Sequence, residues 1–136
     1  MYQKILIPID YDDESSWKKA LPAAIDEAER HGAELHAITV VPKILRLPNL
    51  PENYGSGACD HVKAKVEKIV ADHGGKASVV AREGSIYREI LKQAHAIGAD
   101  LIVIASPKVD YLNELMGPNV SRVVRNAHCS ILVVRD

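Results

Sequence analysis

Residues 101–106 read Leu-Ile-Val-Ile-Ala-Ser, and residues 117–134 read Gly-Pro-Asn-Val-Ser-Arg-Val-Val-Arg-Asn-Ala-His-Cys-Ser-Ile-Leu-Val-Val. The run 101–104 is apolar without interruption, as a strand covered on both faces requires. Ala105 and Ser106 read as a small-residue turn. Gly117 precedes a helical pattern carried by Val120, Val123 and Val124, and residues 131–134 form a second apolar strand. A buried strand that stops at small residues and feeds a loop ending at a helix N-terminus has the form of an anion cradle.

The same alternation extends to the start of the chain. Residues 4–9 (KILIPI) predict a buried strand, followed by Asp10-Tyr11-Asp12-Asp13 and a helical stretch over about 14–31. Trp17, Leu21, Ala24, Ile25 and Ala28 share one face at helical spacing. Pro22 predicts a kink or a late start, and Gly32 suits a helix stop. Residues 35–41 predict a second strand. The segment 42–58, with Pro42, Pro48, Pro51, Gly55 and Gly57, predicts a long connection of the kind that forms functional lids or stays disordered. Asp60 is placed to cap a helix whose apolar face is Val62, Val66, Ile69 and Val70, ended by Gly74-Gly75. Residues 77–81 predict a third strand. Ser85 is placed to cap the next helix, with Ile86, Ile90, Leu91 and Ala94 facing inward and Gly98 as its stop. Leu112, Leu115 and Met116 suggest a short helical turn after the fourth strand.

Five apolar strands alternating with helices predict an α/β fold with a doubly wound parallel sheet and helices on both faces. The alternation leaves the strand order open. Ligands on such sheets bind at the carboxyl ends of strands where the winding reverses. The 136 residues are expected to form one domain spanning 1–136. With 47% hydrophobic and 26% charged residues and a net charge of −1, the chain shows no electrostatic footprint for nucleic acid or a membrane surface. Its apolar runs are far too short to span a bilayer, and its start shows no secretory signal. Cys59 and Cys129 form no CxxC pair; reduced thiols in a cytoplasm fit best. The histidines have no metal-ligand spacing, and His36 in a strand is expected to be a satisfied side chain. No cysteine has a visible activating base.

The start KILIPIDYDDES, the strand LHAITVVP, the Gly84-Ser85 helix opening, GADLIVIAS and GPNVSRVVRNAHCSILVV together resemble the universal stress protein family over the whole chain. The Ala-Ser turn and the short following loop resemble its small bacterial F/G-type members. The resemblance implies an open five-stranded sheet of order 3-2-1-4-5, with a crevice at the ends of strands one and four near Asp10 and Ala105. It also implies an adenine nucleotide, ATP or AMP, in that crevice, with Mg²⁺ if the ligand is ATP, and a homodimer formed through the last strand.

The family's phosphate loop is Gly-x-x-Gly-x9-Gly-Ser/Thr, and this chain departs from it. Ala105 stands at the first glycine and Lys108 at or near the second; the spacer to Gly117 is one residue short, and Pro118 replaces the hydroxyl residue. Glycine lets backbone N–H groups approach phosphate closely. Proline removes an N–H, although it suits the first position of a helix. Lys108 offers a positive charge in partial exchange.

By resemblance, Asp10 is expected to bond a ribose hydroxyl or a metal-linked phosphate; a loop or capping carboxylate is the plainer reading. Pro8, Ile9 and Val40 match adenine-contacting positions and equally suit strand core. Ile104 at the end of the fourth strand and Ala105 and Ser106 in the turn after it are expected at the same crevice. Lys108, Gly117, Pro118, Asn119 and Val120 match the phosphate loop and the helix start beyond it, where Gly117 also reads as a turn glycine and Asn119 as a solvated amide. Asp12 and Asp13 fit helix-start carboxylates better than the acidic pocket of a response regulator, since strand three ends Ala81-Arg82-Glu83 without the required Asp. Ser15-Ser16 suits a helix start and needs no catalytic role.

The expected function is regulatory. Nucleotide occupancy shifts the loop and the 42–58 segment, and an unnamed protein partner reads the change. The alternative is a nucleotide-free dimer acting only as an interaction module. With no strong base or nucleophile apparent, any ATP hydrolysis or autophosphorylation is expected to be slow.

Overall fold

A computed structural model describes residues 1–41, 54–106 and 118–135, with side chains over 1–41, 59–106 and 119–135. The strands are β1 (Lys4–Pro8), β2 (Glu34–Val41), β3 (Ser78–Glu83), β4 (Leu101–Ser106) and β5 (Ser130–Arg135). The helices are α1 (Ala20–His31), α2 (Tyr54–Asp72), α3 (Ile86–Ile97) and α4 (Pro118–Asn126), with a 3₁₀ turn at Glu14–Ser16. The strands form one parallel five-stranded sheet in the order β3-β2-β1-β4-β5. The chain winds outward from β1 to β3, then returns to the other side of β1 for β4 and β5. The reversal therefore lies between β1 and β4.

Alternate strand residues serve opposite faces. Ile5, Ile7, Leu35, Ala37, Leu101 and Val103 pack with Leu21, Ala24, Val62 and Val66, so α1 and α2 cover one face. Leu6, Ile38, Ile102 and Ile104 pack with Ile90, Ala94, Val120 and Val123, so α3 and α4 cover the other. Both faces being dry explains the unbroken apolar runs. Gly32 and Gly98 end α1 and α3 in the left-handed conformation, at φ 62° and 68°, as a helix stop requires.

Several local expectations are corrected by tertiary context. Trp17 lies before α1, at the end of the 3₁₀ turn, so Pro22 falls in the first turn of a late-starting helix. Asp60 lies inside α2, which already begins at Tyr54, so residues 54–58 of the expected connection are helical. Residues 42–53 and the expected turn at 112–116 lie outside the described residues. Ser85 occupies the cap position of α3, but its side chain makes no capping hydrogen bond. Ile86, expected inward, is 40% exposed. Ala105 and Ser106 are strand residues paired with Val134 and Arg135, so β4 outlasts its apolar run. His36 is half-buried with Nε2 lacking a hydrogen-bond partner among the described residues, which overturns its expected satisfaction.

The turn before β4 anchors β1. The Asp100 carboxylate accepts hydrogen bonds from the Gln3 and Lys4 amides at 2.8 and 3.0 Å, and the Asp100 amide donates to the Lys4 carbonyl at 3.0 Å. From there β1 and β4 pair only at Ile5–Leu101 and Leu6–Ile102. Backbone groups of alternate β1 residues address opposite neighbours: Lys4 bonds toward β4, whereas Ile9 donates to Ile38 of β2 at 2.8 Å. Pro8 therefore faces β4 on the parity of Lys4, with no N–H to donate. Its position accounts for the ladder stopping after Leu6 and for the two strands parting at their carboxyl ends.

Candidate functional site

Where β1 and β4 part, a cavity of about 150 Å³ opens. Pro8, Ile9 and Asp10 line it from the β1 end, Ile38 and Val40 from β2, and Ile104 and Ala105 from β4. Ile86 and Ile90 of α3 and Asn119 and Val120 of α4 close the far wall, and Ser16 stands at the rim. Most of this surface is apolar. Its polar side chains are Asp10, Ser16 and Asn119, an arrangement that suits a flat, largely apolar ring with a polar attachment.

The rim at Asp10 is set by local hydrogen bonds. The Asp10 amide donates to Ser16 Oγ at 2.9 Å, and the Ser16 hydroxyl donates back to the Asp10 carbonyl at 3.0 Å. Asp10 Oδ1 accepts from the Asp12 amide at 3.1 Å, and the Asp13 amide donates to the Asp10 carbonyl at 3.1 Å. Asp13 in turn caps the 3₁₀ turn, accepting from the Ser15 amide at 3.1 Å and its hydroxyl at 2.6 Å. The backbone of this loop is thus held, while Asp10 Oδ2 makes no hydrogen bond among the described residues. A carboxylate with one oxygen tied and one presented can accept from a hydroxyl such as a ribose OH.

The loop is strongly acidic, with Asp10, Asp12, Asp13 and Glu14 in sequence. The Tyr11 phenol feels this field: the Asp12 charge, with smaller contributions from burial and Asp10, pushes its pKa up. Burial also pushes the Cys59 and Cys129 thiols up, which disfavours the thiolate that nucleophilic chemistry needs. Among the described residues no group of three or more His, Cys, Asp and Glu is placed to hold a metal ion. No described helix is long and apolar enough to cross a membrane.

The structure brings together Pro8, Ile9, Asp10, Val40, Ile104, Ala105, Asn119 and Val120 of the expected set. Ser106 is 3% exposed at the end of β4 and does not line the cavity. Pro118 opens α4, and Lys108 and Gly117 lie outside the described residues. Sequence reasoning missed Ser16, Ile38, Ile86 and Ile90. Ile86 and Ile90 read as ordinary core spacing, and only the structure, in which Ile86 is exposed and lines the cavity, shows that the first turn of α3 belongs to its wall. Ser16 carried a signal of its own, a hydroxyl six residues beyond a strand-end Asp.

Compared with known proteins, the chain matches the universal stress protein family over residues 1–135. It is 31% identical to universal stress protein YxiE of Bacillus subtilis, over 99% of this chain and 100% of that one. It is 34% identical to universal stress protein MJ0531 of Methanocaldococcus jannaschii, over 99% and 83% of the two chains. Universal stress protein G of Escherichia coli O157:H7 is 28% identical, over 99% and 100%. Among solved structures, universal stress protein UspA from Lactobacillus plantarum superposes with a TM-score of 0.76 at 24% identity, covering 98% of each chain. A universal stress protein in complex with cAMP has a TM-score of 0.66 at 18% identity, covering 98% and 97%. One from Archaeoglobus fulgidus in complex with dAMP has a TM-score of 0.69 at 14% identity, covering 98% of each. A full-length family match, on a sheet with the order 3-2-1-4-5, assigns the chain to the universal stress protein family.

Proposed function

We propose that this chain is a cytoplasmic regulatory protein of one domain, spanning 1–136, that binds an adenine nucleotide, ATP or AMP, in the β1/β4 crevice. The observation that carries the reading is the apolar slot with a hydrogen-bonded Asp10 at its rim. The base lies against Ile38, Val40, Ile90 and Ile104, its edge toward the Pro8–Ile9 backbone, and the ribose reaches Asp10. Solved relatives carrying cAMP and dAMP support an adenine ligand. With ATP, Mg²⁺ is held mainly by the phosphates, aided at most by a carboxylate of the β1 loop. A protein partner reads the occupied state.

A homodimer through β5 belongs to the same reading. β5 is an edge strand of the sheet, and Leu132 on it is 36% exposed. An unpaired apolar edge is stabilised by a symmetric copy. The second reading, a nucleotide-free interaction module on this dimer, is favoured by Ala105 and Pro118, where the family's loop has glycine and a hydroxyl.

Thermal unfolding with adenosine, AMP and ATP separates the two. A ligand at a hundredfold excess over its Kd stabilises by about 2.7 kcal/mol, and Asp10→Ala is expected to remove most of that shift. No shift with any of the three at millimolar concentration rejects the nucleotide reading and leaves the interaction module.

A further inference from the structure

Beside the far wall of the cavity, two arginines meet one tyrosine. Tyr87 follows the cavity-lining Ile86 on α3, and Arg122 stands one helical turn after the cavity-lining Asn119 on α4, on the same helix face. The Arg122 guanidinium lies over the Tyr87 ring, with Cζ 5.0 Å from its centre. Arg88 approaches the same ring from its edge: Nε donates to the phenol oxygen at 3.0 Å, and Cζ is 5.7 Å from the centre. Two guanidinium groups, charged at any working pH, thus converge on one phenol where α3 meets α4. Among the described residues the ion pairs join Lys4–Glu34, Arg30–Asp26, Arg30–Glu27, His31–Glu27 and Lys68–Asp72; none involves Arg88 or Arg122. The phenol registers the positive field, its pKa being pushed down chiefly by the Arg88 hydrogen bond.

The opposite rim has the reverse sign, with Asp10, Asp12, Asp13 and Glu14. An anionic group leaving the cavity is repelled there and drawn toward the α3–α4 side. We propose that Arg88 and Arg122, held together by Tyr87, form an anion-binding rim that takes the phosphate of a nucleoside phosphate whose base fills the cavity. The inference rests on the adenine-nucleotide reading above and adds the phosphate contact. Planar guanidinium groups donate paired N–H bonds to phosphate oxygens. Such a rim substitutes for glycine amides and a hydroxyl at the start of α4, and it needs no divalent cation.

The test is calorimetric titration of adenosine and of AMP, in EDTA, into the wild-type protein, Arg88→Gln, Arg122→Gln and the double variant. The wild type is expected to bind AMP at least about tenfold more tightly than adenosine, each charged hydrogen bond being strong enough for that factor. Each single variant should lose about tenfold in AMP affinity, and all should keep the wild-type adenosine affinity. The AMP preference should also shrink as salt rises. Equal affinity of the wild type for AMP and adenosine, or variants that retain the AMP preference, overturns the rim and leaves the cavity reading standing. Parallel loss of AMP and adenosine affinity with a lowered Tm also overturns it, showing that the arginines only brace α3 against α4. Failure of the wild type to bind either ligand overturns the cavity reading and the rim with it.

Discussion

The two walls of the crevice are built in opposite ways. The β1 wall is contiguous in sequence: Pro8 ends the ladder to β4, Asp10 follows, and Ser16 closes a double hydrogen bond onto the Asp10 backbone. The far wall joins Ile86 and Ile90 of α3 to Asn119 and Val120 of α4, helices separated in the chain by β4 and joined in space by Tyr87 and Arg122. The first wall is acidic and held by local turns; the second is apolar and bordered by arginines. A crevice with opposite charge on its two rims orients a polar ligand as well as holding it.

Substitutions on each wall separate their roles. The largest effect is expected at Ile90, which is 1% exposed and serves both the core and the cavity. Ile90→Ala should cost about 3 kcal/mol of stability, whereas Ile86→Ala, at an exposed position on the same wall, should cost far less while weakening nucleotide binding. Paired denaturation and binding measurements check this, and equal stability losses would mean that the first turn of α3 belongs to the core. Asp100→Ala removes two charge-assisted bonds at the opposite end of β1 and should cost about 2 kcal/mol, with ligand affinity per folded molecule unchanged. A matching loss of affinity would show that the β1–β4 opening depends on that anchor. Ser16→Ala should cost about 1 kcal/mol and reduce nucleotide affinity severalfold by freeing the Asp10 loop; Ser15→Ala, whose hydroxyl bonds only to Asp13 among the described residues, should leave affinity unchanged. The smallest effect is spectroscopic. Tyr87, beside Arg88, should ionise at lower pH than Tyr11, beside Asp12. Absorbance titration should lose a phase at lower pH in Tyr87→Phe than in Tyr11→Phe, and high salt should bring those two phases together.

Much of the first wall was legible because local chemistry builds it. A strand-end proline, an Asp and the acidic turn are visible in one window, and the ladder break follows from a missing N–H. In the far wall, Asn119 and Val120 were legible through the family resemblance, but Ile86 and Ile90 only as core. At i and i+4 on a helix, Ile86 and Ile90 have the same pattern whether they meet a strand or empty space. Likewise nothing along the chain joins Arg88 and Arg122 to one tyrosine. The misplaced start of α2 and the extension of β4 through Ala105 and Ser106 share a cause. Pairing with β5 holds small residues in a strand, and α2 continues upstream of the residue that propensity would choose as its cap; in both, local propensity gives way to the surrounding fold.

By itself, then, the sequence determined the α/β alternation, the two dry faces of the sheet, the helix stops at Gly32 and Gly98, and Asp10 at the end of β1. These follow from periodicity, backbone freedom and the absent proline N–H, all of which act over a few residues. The tertiary structure decided which apolar side chains stay uncovered, that Ser16 returns to Asp10, and that α3 and α4 bring two arginines onto Tyr87. Those outcomes depend on distances between elements far apart in the chain, which packing of the whole sheet and its helices sets and no local pattern encodes.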